Sequence, residues 1–187
     1  SAWGVYHQLP DPVFFDSTLG DPTLGSMRAT HAIVGLQAGS QGHMIRLELF
    51  NKQYHDLAQS TRDFDVSRGG RGSARGADLF LSGTGYPGMR WRLAFSSIVA
   101  KRTDPTTGIM ARAPFDVSQS ITSVVNQSFG VGWQLGLTHR YATGRPFTPV
   151  TGATFDAAQN VWIPQYGSPM SERLPSFQRV DLGLTRL

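Results

Sequence analysis

The chain has 187 residues, no cysteine and a formal net charge of +4. Without cysteine it can form neither disulfide bridges nor thiolate metal sites, and its length suits a single domain. The basic residues are scattered and do not form a block, which argues against a nucleic-acid partner, and no apolar run reaches the roughly 18 residues that a membrane-spanning helix needs.

Apolar and polar residues alternate with a period of two in the first third of the chain, which predicts β-strands. The first strand runs from Trp3 toward Pro10. The loop over residues 11–26 holds two near-copies of one motif, Asp16-Ser-Thr-Leu-Gly and Asp21-Pro-Thr-Leu-Gly. Two further strands are predicted, and they occupy residues 28–38 and 45–57 with a short turn between them.

The same alternation continues through the rest of the chain, interrupted by turn-forming segments rich in glycine and proline. In order, the predicted elements are a long polar loop over residues 60–73, a strand around residues 77–81, a tight turn at 86–88, a strand from residue 89, a long loop over 102–116, a strand over 121–129, a tight turn at 130–132, a strand over 133–141, a long loop, and a strand over 179–184.

The connections between these eight strands alternate between long polar loops and short turns. Outer-membrane barrels have this asymmetry, with short periplasmic turns and longer outer loops. Trp91, Phe129 and Trp133 lie next to short turns, as an interfacial aromatic girdle would, and Tyr141 and Phe147 would mark the opposite rim. The sequence therefore predicts an all-β fold, an antiparallel up-and-down transmembrane β-barrel with about eight strands present of a larger barrel.

Charged residues in the clearest strands share the face opposite the aliphatic residues. In a membrane barrel that face would line the lumen, because a charge on the lipid face is destabilising. Glu48 and Asp78 are expected to lie across from each other and to form a charge ladder with nearby arginines, an arrangement that explains them better than catalysis does. The predicted lumen-facing polar residues are His31, Arg46, Glu48, Asp78, Arg90, Arg92, Arg140, Arg179 and Asp181.

Several segments, in order and spacing, resemble the barrel of TonB-dependent outer-membrane receptors. They are Trp3-Gly-Val-Tyr-His-Gln-Leu-Pro-Asp-Pro, Arg28-Ala-Thr-His-Ala-Ile-Val-Gly-Leu, Arg46-Leu-Glu-Leu-Phe-Asn-Lys-Gln-Tyr-His-Asp-Leu, Arg75-Gly-Ala-Asp-Leu-Phe-Leu, Ala113-Pro-Phe-Asp, Arg140-Tyr-Ala-Thr-Gly-Arg-Pro-Phe-Thr-Pro-Val and Ser171-Glu-Arg-Leu-Pro-Ser-Phe-Gln-Arg-Val-Asp-Leu. The most telling pieces are Gly144-Arg-Pro-Phe-Thr-Pro and the segment that begins Arg173-Leu-Pro and reaches Asp181.

The resemblance implies a bacterial outer-membrane location and uptake of a scarce ligand such as a metal chelate. The partners that it implies are outer-membrane lipid, the remaining strands and plug of the parent chain, and a periplasmic energy-transducing protein that docks with the plug. Residues 1–187 are expected to form a partial barrel domain, with the plug and the final strands of the family absent.

Ligand recognition in such a barrel would be the task of the long loops. Arginine-rich loops favour an anionic ligand. The predicted contacts are Asp63, Arg68, Arg71, Arg112, Trp162, Tyr166 and Arg173. No catalytic residue, cofactor or metal site is predicted, because the five histidines are scattered and no nucleophile motif or phosphate loop occurs.

Two alternatives to the receptor barrel remain open from the sequence. Eight strands suffice for a small self-closed barrel with a structural or adhesion role. A soluble β-sandwich that binds a partner would also use alternating strands, and its core would hold the same bulky residues. The strict alternation of loop lengths argues against the sandwich, which does not require it.

Overall fold

The computed structural model describes residues 1–15, 20–60 and 66–186, without the side chain of Ser67. One short 3-10 helix, Pro12–Phe15, follows the first strand. The strands are β1 (Ala2–Gln8), β2 (Met27–Ser40), β3 (His43–Ser60), β4 (Val66–Thr84), β5 (Met89–Thr103), β6 (Met110–Arg112), β7 (Gln119–Phe129), β8 (Trp133–Ala142), β9 (Pro146–Phe147), β10 (Val150–Asp156), β11 (Val161–Tyr166), β12 (Glu172–Arg173) and β13 (Phe177–Arg186).

Eight of these strands form one continuous antiparallel sheet in the order β1-β2-β3-β4-β5-β7-β8-β13. Each strand of this sheet pairs with the next one, and β6 adds a short segment beside the end of β5. Two small ladders, β10 with β11 and β9 with β12, lie in the long connection between β8 and β13. The predicted all-β antiparallel meander of about eight strands is confirmed.

The edge strands β1 and β13 distinguish a self-closed barrel from an open sheet. Within the described ranges, β1 pairs only with β2 and β13 only with β8, so no ladder joins the two edges into a self-closed barrel. A sandwich requires two large sheets packed face to face. Apart from the single large sheet, the described residues form only two-stranded ladders, and so the sandwich alternative is wrong.

The register separates the side chains of the large sheet into two chemically different faces. One row is apolar across the six strands from β2 to β8 and ends at Gln178 in β13; its apolar members are Leu36, Leu47, Leu79, Phe95, Ile121 and Tyr141. The strands on either side of this row add exposed aliphatic residues such as Val34, Leu182 and Leu184. We call this side the apolar face, and the opposite side the polar face.

In the central rows of the sheet, the charged side chains of the same strands lie on the polar face. One register row on it contains Gln37, Arg46, Phe80, Ala94, Thr122, Arg140 and Arg179, and the next contains Gly35, Glu48, Asp78, Ser96 and Ser120. In these central rows the aliphatic residues therefore lie on one side of the sheet and the ionic residues on the other, whereas Arg28 and Arg75 lie on the apolar face nearer to the long connections.

The glycine-rich segment of residues 60–73 was predicted to be a loop, and this prediction is wrong over residues 66–73. That segment opens β4 and pairs with the end of β3. The ladder is irregular there, because β3 bulges around Asp56, which has a φ of 56°. Backbone hydrogen bonds to a neighbouring strand outweigh the weak strand preference of glycine.

The predicted aromatic girdle residues lie where the short turns meet the apolar face. Phe129 and Trp133 are register partners on either side of the β7–β8 turn, and the guanidinium carbon of Arg186 lies 5.8 Å from the Trp133 ring centroid. Trp91 is on the same face near the β4–β5 turn. Phe147, which was predicted at the opposite rim, is in β9 outside the large sheet. Among the described residues, no helical segment has the length and hydropathy needed to cross a bilayer.

Candidate ligand site at the loop end of the sheet

Two neighbouring cavities open at the end of the sheet where the long connections lie. The first, of about 520 Å³, is lined by Phe14, Ala58, Gln59, Arg102, Arg112, Phe115, Thr148 and Met170 among others. The second, of about 460 Å³, lies on the polar face and is lined mainly by Ile33, Phe50, Tyr54, Ile98, Lys52, Arg102, Ala113 and Phe115. Both volumes are within the range of small-molecule sites.

The β5–β7 connection forms a roof over the polar face and separates these cavities. Its Ala113 is buried with Ala74 and Ala100, and Tyr54 and Ile98 pack against the three alanines. The Ala113 amide donates to the Ala100 carbonyl at 2.9 Å. Small side chains on the sheet thus allow the connection to approach closely, which places the exposed Phe115 between the two cavities.

A buried carboxylate fixes the end of this roof. The side chain of Asp116 is fully buried and accepts a hydrogen bond at 2.8 Å from Arg112 and one at 3.0 Å from the Ser118 hydroxyl. Arg173, which belongs to the β8–β13 connection, lies 3.4 Å from the same carboxylate and donates to the Asp116 carbonyl at 2.9 Å. Asp116 therefore joins two long connections that are distant in sequence.

Gly144 shows why the two connections meet so closely. Arg173 also donates to the Gly144 carbonyl at 2.7 Å, and the Leu174 amide donates to the Arg145 carbonyl at 2.9 Å. A Cβ atom at Gly144 would overlap the carbonyl group of Leu174, so the position has no room for a side chain. The two most telling family-like motifs of the sequence are thus in contact, where they form the base of the β8–β13 connection.

Gly144→Ala is expected to push this base apart and to destabilise it by about 2 kcal/mol, as overpacking does. Amide hydrogen exchange at Leu174 should then accelerate roughly 30-fold, because 1.4 kcal/mol corresponds to a factor of ten. Gly25→Ala is the matched control, since a Cβ there meets nothing within 4 Å. Equal exchange rates in the two variants would contradict the close approach.

The rim of the first cavity is held by hydrogen bonds between β3 and β5. Gln59 donates to the Thr103 carbonyl at 2.5 Å, and Arg102 donates to the Ala58 carbonyl at 2.8 Å. Both side chains therefore cross from one strand to the other directly beside the cavity. The rim is built from residues with fixed partners, and Phe115 and Met170 supply apolar surface above it.

The predicted ligand contacts have different surroundings in the structure. Asp63 lies outside the described residues. Arg112 and Arg173 are engaged with Asp116. Trp162 is 68% exposed on the β10–β11 hairpin, where its ring centroid lies 5.2 Å from that of Phe155, and Tyr166 ends the same hairpin. Arg68 is exposed in β4. Arg71 is on the face opposite Gly72 and Arg102, away from both cavities.

All nine predicted lumen-facing residues share the polar face. Glu48 and Asp78 are register partners, and Arg46 lies 3.5 Å from Glu48. Arg179 forms an ion pair with Asp181 at 2.7 Å. His31 stacks near Tyr6, with ring centroids 4.7 Å apart, and its Nε2 atom is buried without a partner in the described chain.

Sequence reasoning placed Ala113 and Asp116 in a family-like segment but missed that both are buried, and it missed the β10–β11 hairpin. Asp116 was placed at the end of a polar loop, and no periodic signal marks a buried carboxylate in such a segment. The hairpin was hidden because Pro164 interrupts its second strand and because its turn over residues 157–160 lacks the glycine that usually marks a tight hairpin. Among the described residues, no group of three or more histidine or acidic side chains could hold a metal ion.

No family model and no curated protein matches the sequence, but solved structures match its fold. The FpvAI–pyocin S2 complex contains a chain with a TM-score of 0.65 and 11% identity, and the match covers 97% of this chain and 24% of that one. The ferric-catecholate import receptor Fiu from E. coli K12, in its closed form, has a TM-score of 0.68 and 13% identity, with coverage of 97% and 25%.

The chain spans about a quarter of the length of these two proteins. At such low identity the likeness concerns the fold, and it extends over nearly all of the present chain. The structural comparison, the continuous meander and the two-faced register together show that the chain has the fold of a segment of the barrel of TonB-dependent receptors.

Proposed function

We propose that the chain supplies wall strands and outer loops of a TonB-dependent receptor in the bacterial outer membrane, which takes up a scarce ligand such as a metal chelate. The observation that supports this most is the separation of the two faces in the central rows of the sheet, from β2 to β8. A continuous exposed belt of aliphatic residues on one side is unfavourable in water and favourable against lipid. The structural neighbours are receptors, not enzymes.

The partners in this proposal follow from the sheet and its faces. Outer-membrane lipid contacts the apolar face. Further barrel strands of the parent chain pair with β1 and β13, whose outer edges have unpaired backbone groups in the described sheet. A plug lies inside the barrel and connects it to the periplasmic energy-transducing protein.

The ligand site in this proposal consists of the two cavities that the roof separates. Their lining combines aromatic and aliphatic surface with the cations Lys52, Lys101, Arg102 and Arg112 and with the carboxylates Glu48, Asp78 and Asp104. The aromatic surface suits a ligand with aromatic groups, and the two lysines and Arg102 can contact its negative charge. One structural neighbour is a ferric-catecholate import receptor, and a ferric catecholate has both properties. Phe115 is the central residue, since it lines both cavities.

Phe115→Ala is expected to weaken binding of a radioactive iron–catecholate complex about tenfold, because an aromatic contact contributes roughly 0.5–1.5 kcal/mol. Binding would be measured on isolated outer membranes that contain the protein. Val131→Ala is the control, since Val131 is 95% exposed in a short turn at the opposite end of the sheet. The absence of saturable binding by the unaltered protein, or an equal loss in both variants, would count against this ligand class.

A further inference from the structure

Charge is distributed unevenly over the polar face. Between the short turns and the row of Ser96 and Ser120, the strands β5, β7, β8 and β13 carry Arg90, Arg92, Arg140 and Arg179 but only one carboxylate, Asp181. In the same rows, β3 and β4 carry Arg46 with the two carboxylates Glu48 and Asp78. We call the four residues Arg90, Arg92, Arg140 and Arg179 the arginine patch.

Three members of the arginine patch lack an anionic partner within the part of the chain that the structure describes. Only Arg179 forms an ion pair, with Asp181. Arg140 is the direct register partner of Arg179, and like charges opposite each other on neighbouring strands are destabilising. An anion beside Arg140, Arg92 and Arg90 would remove that repulsion.

A gap without a side chain lies at Gly183, within the patch. Gly136 and Gly183 are register partners on the polar face, in the row that also contains Arg90 and Asn126. A Cβ atom at Gly183 would meet nothing within 4 Å, whereas one at Gly136 would lie 3.3 Å from the Asn126 Oδ1 atom. Glycine inside a strand is less stable than alanine, and it can mark a place where a ligand or another backbone approaches closely.

Resting on the proposed function, which makes the polar face the inside of the barrel, we propose that the arginine patch binds an extended polypeptide segment that presents carboxylates. Adjacent strands are about 4.8 Å apart and alternate residues of one strand about 6.6 Å apart. The patch crosses four strands, so its arginines are spread more widely than one small anion can reach. The segment lies over the glycine gap, and its carboxylates accept hydrogen bonds from the flanking arginines.

The test uses the full protein that contains this chain, purified in detergent micelles, and two fluorescent peptides of equal length. One has aspartate and the other asparagine at alternate positions. The aspartate peptide is expected to bind more tightly than the asparagine peptide. The double variant Arg92→Gln with Arg140→Gln should lower the affinity for the aspartate peptide about tenfold for each arginine removed, since hydrogen bonds to charged groups contribute roughly 1.5–3 kcal/mol. Fluorescence anisotropy measures both peptides.

Two further variants serve as controls. Arg28→Gln with Arg75→Gln removes the same charge from the other face, and it should leave peptide affinity within about twofold of the original. Gly183→Ala fills the gap where a Cβ has room, so the fold is kept, and it should weaken binding without any change of charge.

Equal affinity for the two peptides, or an equal loss in the Arg28 and Arg75 control, overturns the proposal. So does displacement of the peptide by succinate at a concentration equal to the peptide's own, which would indicate a site for small anions. The iron–catecholate assay separates this proposal from the receptor proposal. Chelate binding without selective peptide binding overturns only the proposal for the arginine patch, and peptide binding without chelate binding counts only against the proposed ligand class.

Discussion

Replacing Leu47 with arginine is expected to destabilise the protein in a lipid bilayer by about 2–4 kcal/mol, the cost of an arginine on the lipid face near the midplane. Leu47 lies in the apolar row, between Leu36 and Leu79 in the neighbouring strands. A guanidinium there has no ionic partner beside it, because both register neighbours are leucines and the nearest carboxylates, Glu48 and Asp78, are on the polar face.

Glu48→Gln is the matched control, since Glu48 is the next residue in β3 and points to the polar face. Its ion pair with Arg46 is long and exposed, so its loss is expected to change stability by less than about 1 kcal/mol. Denaturant titration of the protein refolded into lipid vesicles, followed by tryptophan emission, compares the two. Similar unfolding free energies for both variants would show that the apolar face does not contact lipid.

Asp116→Asn is expected to release the roof from the β8–β13 connection, at a cost of about 2 kcal/mol. The carboxylate is fully buried and has Arg112 and Arg173 as partners. Removal of one member of a buried ion pair typically costs about 3–5 kcal/mol, and partial exposure of both guanidinium groups lowers that figure here. The NH2 group of the asparagine side chain would also lie next to the guanidinium groups of Arg112 and Arg173, which are hydrogen-bond donors as well.

Amide hydrogen exchange at Ala113 and Asp116 measures this release directly, because both amides donate to backbone carbonyls of the closed arrangement. An increase of about 30-fold is expected. Asp104→Asn is the control, since Asp104 accepts hydrogen bonds from Thr106 and Thr107 within its own turn. If only the Asp104 variant exchanged faster, the buried cluster would not be what holds the roof.

The release of the roof has a consequence for the proposed ligand site. Phe115 precedes Asp116 and lines both cavities. When the Asp116 cluster opens, Phe115 loses its fixed position, and the affinity for the iron–catecholate complex is expected to fall along with the protection of the amides. A loss of affinity without any change in exchange would instead indicate a direct contact between Asp116 and the ligand.

Strand positions and the two faces could be predicted because they depend on local sequence. A strand has a side-chain period of two, so the alternation of Leu47, Glu48 and Leu49 determines the faces of β3 without knowledge of its neighbours. The tight turns at residues 86–88 and 130–132 were equally local, since Gly88, Gly130 and Gly132 adopt positive φ angles that glycine tolerates.

The loop-end site was much less predictable, because its contacts join distant parts of the chain. Arg173 and Asp116 are 57 residues apart, and no local pattern relates them. Arg112 and Arg173 were identified as ligand contacts from charge alone, whereas the structure shows that both have a carboxylate partner. A charged loop residue is solvated or paired according to what packs beside it, which sequence periodicity does not record.

The all-β class, the strand alternation and the separation of aliphatic from charged residues follow from the sequence alone, since each depends on residues that are neighbours in the chain. The structure was needed to show that residues 66–73 join β4, that Gly144 has no room beside Leu174, and that the roof is held at Asp116. These features depend on the register between strands and on long-range hydrogen bonds, whose energies exist only once the sheet has formed.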